Sequence, residues 1–234
     1  MAVKIGHARG SEYGTITGNA GDNNGKEVSV TDWYLHKSGW VVLRCKDPAK
    51  RELIARAMEK ACANNDIGYD QYQRNTLFNN VKDKGFDPSK TSKKVEADCS
   101  SLVRVCIAYA YGKDLVGNIR TVTQPNTLVN TGEFQKLTDS KYTKGTAYLK
   151  RGDIICTPVS GHTAVVLGDG ISTEDDPTTG TGNEEKESLL GSLFNINWVD
   201  ISVVLISVLL VIGGVIMLVL GVKGAVVDNI KEVL

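Results

Sequence analysis

An α+β fold is predicted for the greater part of this chain on three observations. Apolar residues recur at helical spacing through 48–64 and again behind Asp98, which marks two amphipathic helices. Short apolar runs bounded by turn residues stand at 154–157 and 163–167, which marks strands. Helices come before these strands instead of alternating with them, an order that favours an antiparallel sheet over a parallel one.

Residues 1–47 form a Gly-rich segment with a strand at 40–44, expected to pack on the core that follows. In the helix predicted over 48–64, Pro48 suits the first turn, and Leu53, Ile54, Ala57, Met58 and Ala61 make the apolar stripe. A polar connection around Phe86-Asp87-Pro88-Ser89-Lys90 leads to the second helix. There Asp98 can cap the first N–H groups, while Leu102, Val103, Cys106, Ile107 and Ala110 keep helical spacing up to Gly112. After a mixed stretch to Leu149, Lys150-Arg151-Gly152-Asp153 turns into the strand 154–157. His162 opens the next strand, and Gly168-Asp169-Gly170 reads as the hairpin turn that closes it.

Beyond the core, 48–176, the character of the chain changes. Residues 177–195 read as a flexible acidic linker, because 177–188 is rich in Thr, Gly and Glu and has no large apolar side chain. A hydrophobic helix is predicted over 196–222. Its uncharged part opens on Ile201, closes on Val222 and counts 22 residues. At about 1.5 Å per residue that length crosses a hydrocarbon layer of about 30 Å. Trp198 marks one interface, and Lys223 and Lys231 of the tail 223–234 lie beyond the other. That bias puts the C-terminus in the cytoplasm and the core outside. Residues 1–13 lack the apolar stretch of a signal peptide, so secretion by that route is not expected.

Composition narrows the function. The 234 residues are 41% hydrophobic with a formal net charge of zero, enough for one sizeable core and unlike a nucleic-acid binder. Five cysteines are an odd number, scattered without paired close spacings, so neither a disulfide scaffold nor a zinc site is expected. No repeat and no phosphate-binding glycine loop is present, and no cofactor is implied.

Chemistry concentrates at two places. Cys99 follows the capping Asp98 and so falls in the first turn of a helix, where the positive end of the helix dipole and a nearby imidazolium favour the thiolate. His162, at the start of a strand, is the candidate base. A cysteine at a helix start facing a histidine on a strand is the papain-like arrangement. Cys45, Cys62, Cys106 and Cys156 read instead as small buried hydrophobes, Cys106 on the same helical face two turns deeper.

Asp98-Cys99-Ser100-Ser101-Leu102-Val103 resembles the Asp-Cys-Ser-Gly-Leu-Val signature of the NlpC-type cell-wall peptidases. Gly161-His162-Thr163-Ala164-Val165 resembles their histidine strand, and the likeness covers roughly 48–177. Ser101 stands where the family has glycine, a small-for-small change that leaves the nucleophile intact and can narrow the groove beside it. The stretch 18–28, with Trp33-Tyr34, resembles the opening of phage-encoded peptidoglycan hydrolases of this group.

The resemblance implies further roles. It calls for an orienting residue on the strand after the histidine, a position held here by Glu174. A three-residue loop at 168–170 would pair Ala164 with Glu174, on the face of His162; a two-residue turn would bring Asp175 there, and Asp176 is a third candidate. All three equally suit a solvated acidic linker. Asp98 and Ser100 inherit the role of holding the amino end of the stem peptide, beside helix capping for Asp98. Tyr69, in Ile67-Gly68-Tyr69-Asp70, matches a tyrosine that lines the site and donates to the oxyanion, with Tyr72 as rival.

The expected function is thus hydrolysis of stem-peptide amides in peptidoglycan by Cys99, His162 and Glu174. An amidase or endolysin of the CHAP type, using the same dyad for host lysis, is the alternative within enzymes. A structural, membrane-perturbing phage protein that only binds wall is the alternative outside them. The partners expected are bacterial peptidoglycan, a membrane reached through 201–222, and phage tail proteins or further copies of the chain. Two locations fit, a virion tail and a host membrane with the catalytic core outside.

Overall fold

A computed structural model describes residues 2–11, 15–17, 27–91, 93–159 and 161–172. The chain divides into two units, Met1–Thr178 and Thr179–Leu234, and every described residue lies in the first. The segment 201–222 and residues Glu174, Asp175 and Asp176 lie outside the described residues. Among those described, no helix is long and apolar enough to cross a membrane.

The fold is mixed α+β around an antiparallel sheet. Six strands, β1 (Lys4–Ala8), β2 (Val28–Asp32), β3 (Val41–Cys45), β6 (Phe134–Leu137), β7 (Ile154–Cys156) and β8 (Thr163–Val166), run in the order β2-β1-β8-β7-β3-β6. Two short parallel strands, β4 (Ile67–Tyr69) and β5 (Val95–Ala97), pair apart from them. The helices are α1 (Pro48–Cys62), α2 (Thr76–Val81), α3 (Cys99–Tyr111), α4 (Gln124–Asn130) and α5 (Ser140–Thr143).

Strand alternation splits the core in two, because successive side chains point to opposite faces. Leu43, Ile154 and Val165 are buried with Ile54, Met58, Leu102 and Ile107 of α1 and α3. Val42, Ile155, Ala164 and Val166 are buried on the other face with Ile5, Trp40 and Leu149. The register Val42↔Ile155 and Ile155↔Ala164 lines up the second set across three strands. Arg44 and Asp153, both fully buried, lock β3 to the turn before β7 through bonds of 2.8 and 2.7 Å.

Both long helices have the ends their sequences call for. Asp47 accepts from the N–H groups of Ala49 and Lys50, and Pro48 opens α1. In α3, Asp98 accepts from Ser101 N–H at 2.7 Å, while Ser101 Oγ accepts from Asp98 N–H at 2.9 Å. This reciprocal capping box makes Ser101 more than a small filler. Gly112 ends the helix in the left-handed conformation, φ 66°.

Two expectations are corrected. Strands β1, β2 and β3 come before α1, so the order is not helices first, and half of the main sheet comes from the stretch 1–47. Among the described residues no hairpin follows β8 either. Both edges of β8 are taken, by β7 and by β1, with Gly6↔Val165 and Ile5↔Val166 in register. The chain leaves β8 to run beside 147–149, where Gly170 N–H donates to Leu149 and Ser172 N–H to Ala147. At Gly6 an added Cβ would lie 2.4 Å from Met58 Cγ, so glycine here lets β1 lie close against α1.

Candidate active site

Cys99 and Thr163, the residue after His162, come together where α3 begins and β8 begins. Cys99 is the first residue of α3 and only 7% exposed. The backbone N–H groups of Ser100 and Thr163 donate toward its sulfur. Thr163 is the residue after His162, so β8 brings the histidine to the mouth of the helix. The histidine's own backbone is pinned, its carbonyl accepting from Thr157 N–H at 2.9 Å and its N–H donating to Thr157 Oγ1 at 3.1 Å.

His162 is not alone. Its Nε2 lies 2.7 Å from Nδ1 of His7, and Nε2 of His7 lies 3.1 Å from Oγ1 of Thr31. Thr31, His7 and His162 thus cross three adjacent strands, β2, β1 and β8, in a diagonal row. The register carries this row, since it sets His7 opposite Ser29 and, one step beyond Gly6↔Val165, opposite Ala164. With Nε2 of His162 engaged by His7, Nδ1 is the other nitrogen of that ring. Protons then sit on Nε2 of both rings, each His donating outward, His162 to His7 and His7 to Thr31.

Aromatic rings pack along one side of this row. Trp40, 3% exposed, stands 6.3 Å from His162 between ring centres and donates from Nε1 to the Tyr34 carbonyl at 2.7 Å. His36 packs on Trp40 at 5.2 Å. All three histidines of the chain therefore meet at one place. Outside the row lies an open cleft of about 450 Å³, lined by His7, Arg9, Tyr34, His36, Lys37 and His162 among others.

Burial sets the protonation state. It pushes the Cys99 thiol up to about 12, and the charge of Asp98 adds to this. It lowers His162 to about 4, helped by His36 and Arg9, and His7 to about 3, helped by His162 and Arg9. This burial opposes the thiolate and imidazolium that the helix dipole, an effect of about 1 kcal/mol, would favour. Burial thus favours the neutral thiol and the neutral imidazole, the form in which a histidine can act as a general base.

The remaining candidates divide. Tyr69 ends β4 opposite Ala97, two residues before Cys99. Its phenol accepts from Gln71 Nε2 at 3.0 Å, and burial first, then the charges of Cys99 and Asp98 among others, raise its pKa. Tyr72 is 78% exposed and is not part of the site. Asp98 and Ser100 are held by Arg74, whose Nε donates to Asp98 Oδ2 at 2.6 Å and whose Nη2 donates to Ser100 Oγ at 2.7 Å. Arg74 also donates to Asn118 Oδ1 and the Ile119 carbonyl. These contacts fix the start of α3. Among the described residues no group of His, Cys, Asp and Glu is disposed to hold a metal ion.

Neither His7 nor Arg74 stands out in the sequence. Arg74 carries no pattern at all. The scarcity of histidine, three in 234 residues, is the one signal that points to His7.

No curated protein and no solved structure matches the chain. The family model described as the endolysin-like domain matches residues 5–173, from β1 with His7 to the turn beyond β8. That range holds Cys99, His162 and every neighbour named above. It makes this an endolysin-type domain of the phage cell-wall hydrolases, with peptidoglycan as substrate. The chain belongs to the endolysin-like domain family.

Proposed function

We propose that this domain is a cysteine peptidase that hydrolyses amide bonds of the peptidoglycan stem peptide by a papain-like mechanism, as the resemblance to NlpC-type peptidases implies. The observations that carry this reading are the row Thr31–His7–His162 and the backbone contact of Thr163, the residue after His162, with the sulfur of Cys99. Nδ1 of His162 takes the proton of Cys99 as the sulfur bonds to the amide carbon. The imidazolium then returns that proton to the leaving nitrogen, the C–N bond breaks, and a thioester remains. Water, activated by the same imidazole, hydrolyses the thioester and restores the thiol. Backbone N–H groups at the start of α3 and the phenol of Tyr69 are the donors at hand for the oxyanion.

His7 takes the orienting role that the resemblance gave to Glu174. The support is its 2.7 Å contact with His162 and the occupied edges of β8. Asp98 and Ser100, held on Arg74, serve the helix start before any substrate.

A second reading, a CHAP-type amidase acting in host lysis, is favoured by the endolysin-like family match, since the same dyad can cut the sugar-to-peptide amide. Membrane contact through 201–222, and association with tail proteins or with further copies, extend either reading to a virion tail or a host membrane.

The test is mass spectrometry of purified wall after digestion by the intact chain and by Cys99→Ala. New amino and carboxyl ends within the stem peptide support the peptidase. Release of whole stem peptides from the sugar assigns the amidase. Equal products from both proteins refute the thiol mechanism.

A further inference from the structure

Two permanent cations stand over the open side of the cleft. Arg9 continues β1 beyond its last residue, its N–H donating to the Glu27 carbonyl at 2.9 Å, and so emerges two positions past His7 on the same face. Lys37 sits next to His36 in the turn that carries the aromatic wall. Both side chains are exposed, and no carboxylate is among the residues lining the cleft. Neither Arg9 nor Lys37 forms an ion pair with another described residue.

A cleft that holds two cations and no anion among its described residues attracts a negative group and repels a positive one. We propose that Arg9 and Lys37 form a subsite for a carboxylate carried by the stem peptide, Arg9 as a planar fork and Lys37 as a point charge. The inference rests on the peptidase reading and adds the substrate class: acidic stem peptides over their amidated forms. The guanidinium forks a carboxylate through two parallel N–H donors, and the ammonium adds charge without fixed geometry.

The same field reaches the base. Burial first, then His36 and Arg9, hold His162 low. A carboxylate seated on Arg9 offsets that charge, so an anionic substrate meets a stronger base than an amidated one does.

The experiment uses the full chain in neutral detergent with Cys99→Ala, so that peptides bind without being cut. Four synthetic stem peptides of one sequence are compared, with the glutamyl α-carboxyl free or amidated and the C-terminal carboxyl free or amidated. The free acid at the favoured position is expected to bind about tenfold more tightly, the factor for ~1.4 kcal/mol of charge-assisted hydrogen bonding, and the arms tell which carboxyl it is. Adding Arg9→Gln and Lys37→Gln together is expected to bring that ratio to about one.

Equal affinity for acid and amide, or a preference that survives both substitutions, overturns the subsite. So does a wall glycerol-phosphate fragment that displaces the peptide equally in the acid and amide arms, which would assign the cations to wall phosphate. Cleavage by the chain with Cys99 intact is scored apart. A chain that cuts none of the four peptides refutes the peptidase reading, while the binding ratio still decides the subsite.

Discussion

Replacing His7 by Ala removes the acceptor that holds Nε2 of His162 at 2.7 Å and leaves that N–H pointing into a pocket roofed by Trp40. His7 is buried, so the lost bond is not fully made good by bulk water. One such bond is worth about 1–3 kcal/mol, which converts to between about fivefold and about 150-fold in kcat. The loss is expected in kcat more than in KM, because the imidazole must be aimed in the transition state above all. His7→Gln keeps an acceptor near Nε2 and is expected to recover most of the rate. The pH profile separates orientation from general damage. Burial holds His162 at about 4, so the acid limb of kcat/KM is expected near that value in the native chain. In His7→Ala the water admitted beside the ring moves the limb up toward 6.5. The assay is release of amine from a soluble stem peptide between pH 3 and pH 8, roughly the span over which the imidazole titrates. A His7→Ala enzyme within about twofold of native, below even the smallest effect expected from one lost bond, refutes the reasoning. It fails equally if Glu174→Gln costs the full factor and His7→Ala costs nothing.

Three further outcomes are expected. Cys99→Ala and Cys99→Ser should each lower wall digestion by about 10⁴ or more with unchanged circular dichroism, since a nucleophile acts as a unit with its base; residual turnover above that level counts against Cys99. Stability should depend on pH in two windows. His7 and His162 have lowered pKa values, so the folded chain binds fewer protons than the unfolded one below about 6.5, and Tm should fall as the pH drops from there toward 4. Cys62, Cys99 and Cys156 are raised to about 12, so Tm should also fall as the pH rises above 9; a flat Tm in either window contradicts the burial assigned here. Finally, Arg44→Ala should cost about 3–5 kcal/mol by taking the guanidinium from the buried Asp153, whereas replacing both by apolar residues of similar volume should cost far less in urea unfolding.

The sequence by itself determined whatever depends on short separations. Asp98 caps α3 through the N–H three residues on, and the stripe from Leu102 to Ala110 repeats every turn. The place of Cys99 in the first turn was therefore legible, as were α1, β3, β7 and β8. Only the tertiary structure decided what stands beside His162. The resemblance called for an orienting residue on a strand after His162, a position given to Glu174, which lies outside the described residues. The edge of β8 goes instead to β1, and His7 is 155 residues away from its partner. Pairing over such a distance is won by competing strands for one edge, and no local pattern records the winner. The site's charge state has the same origin. The helix dipole at Cys99 is a local property and argues for a thiolate, but Trp40, β1 and β8 together exclude water from the thiol and the ring. Desolvation depends on what the whole fold lays over a group, so it was decided there, and in favour of the neutral pair.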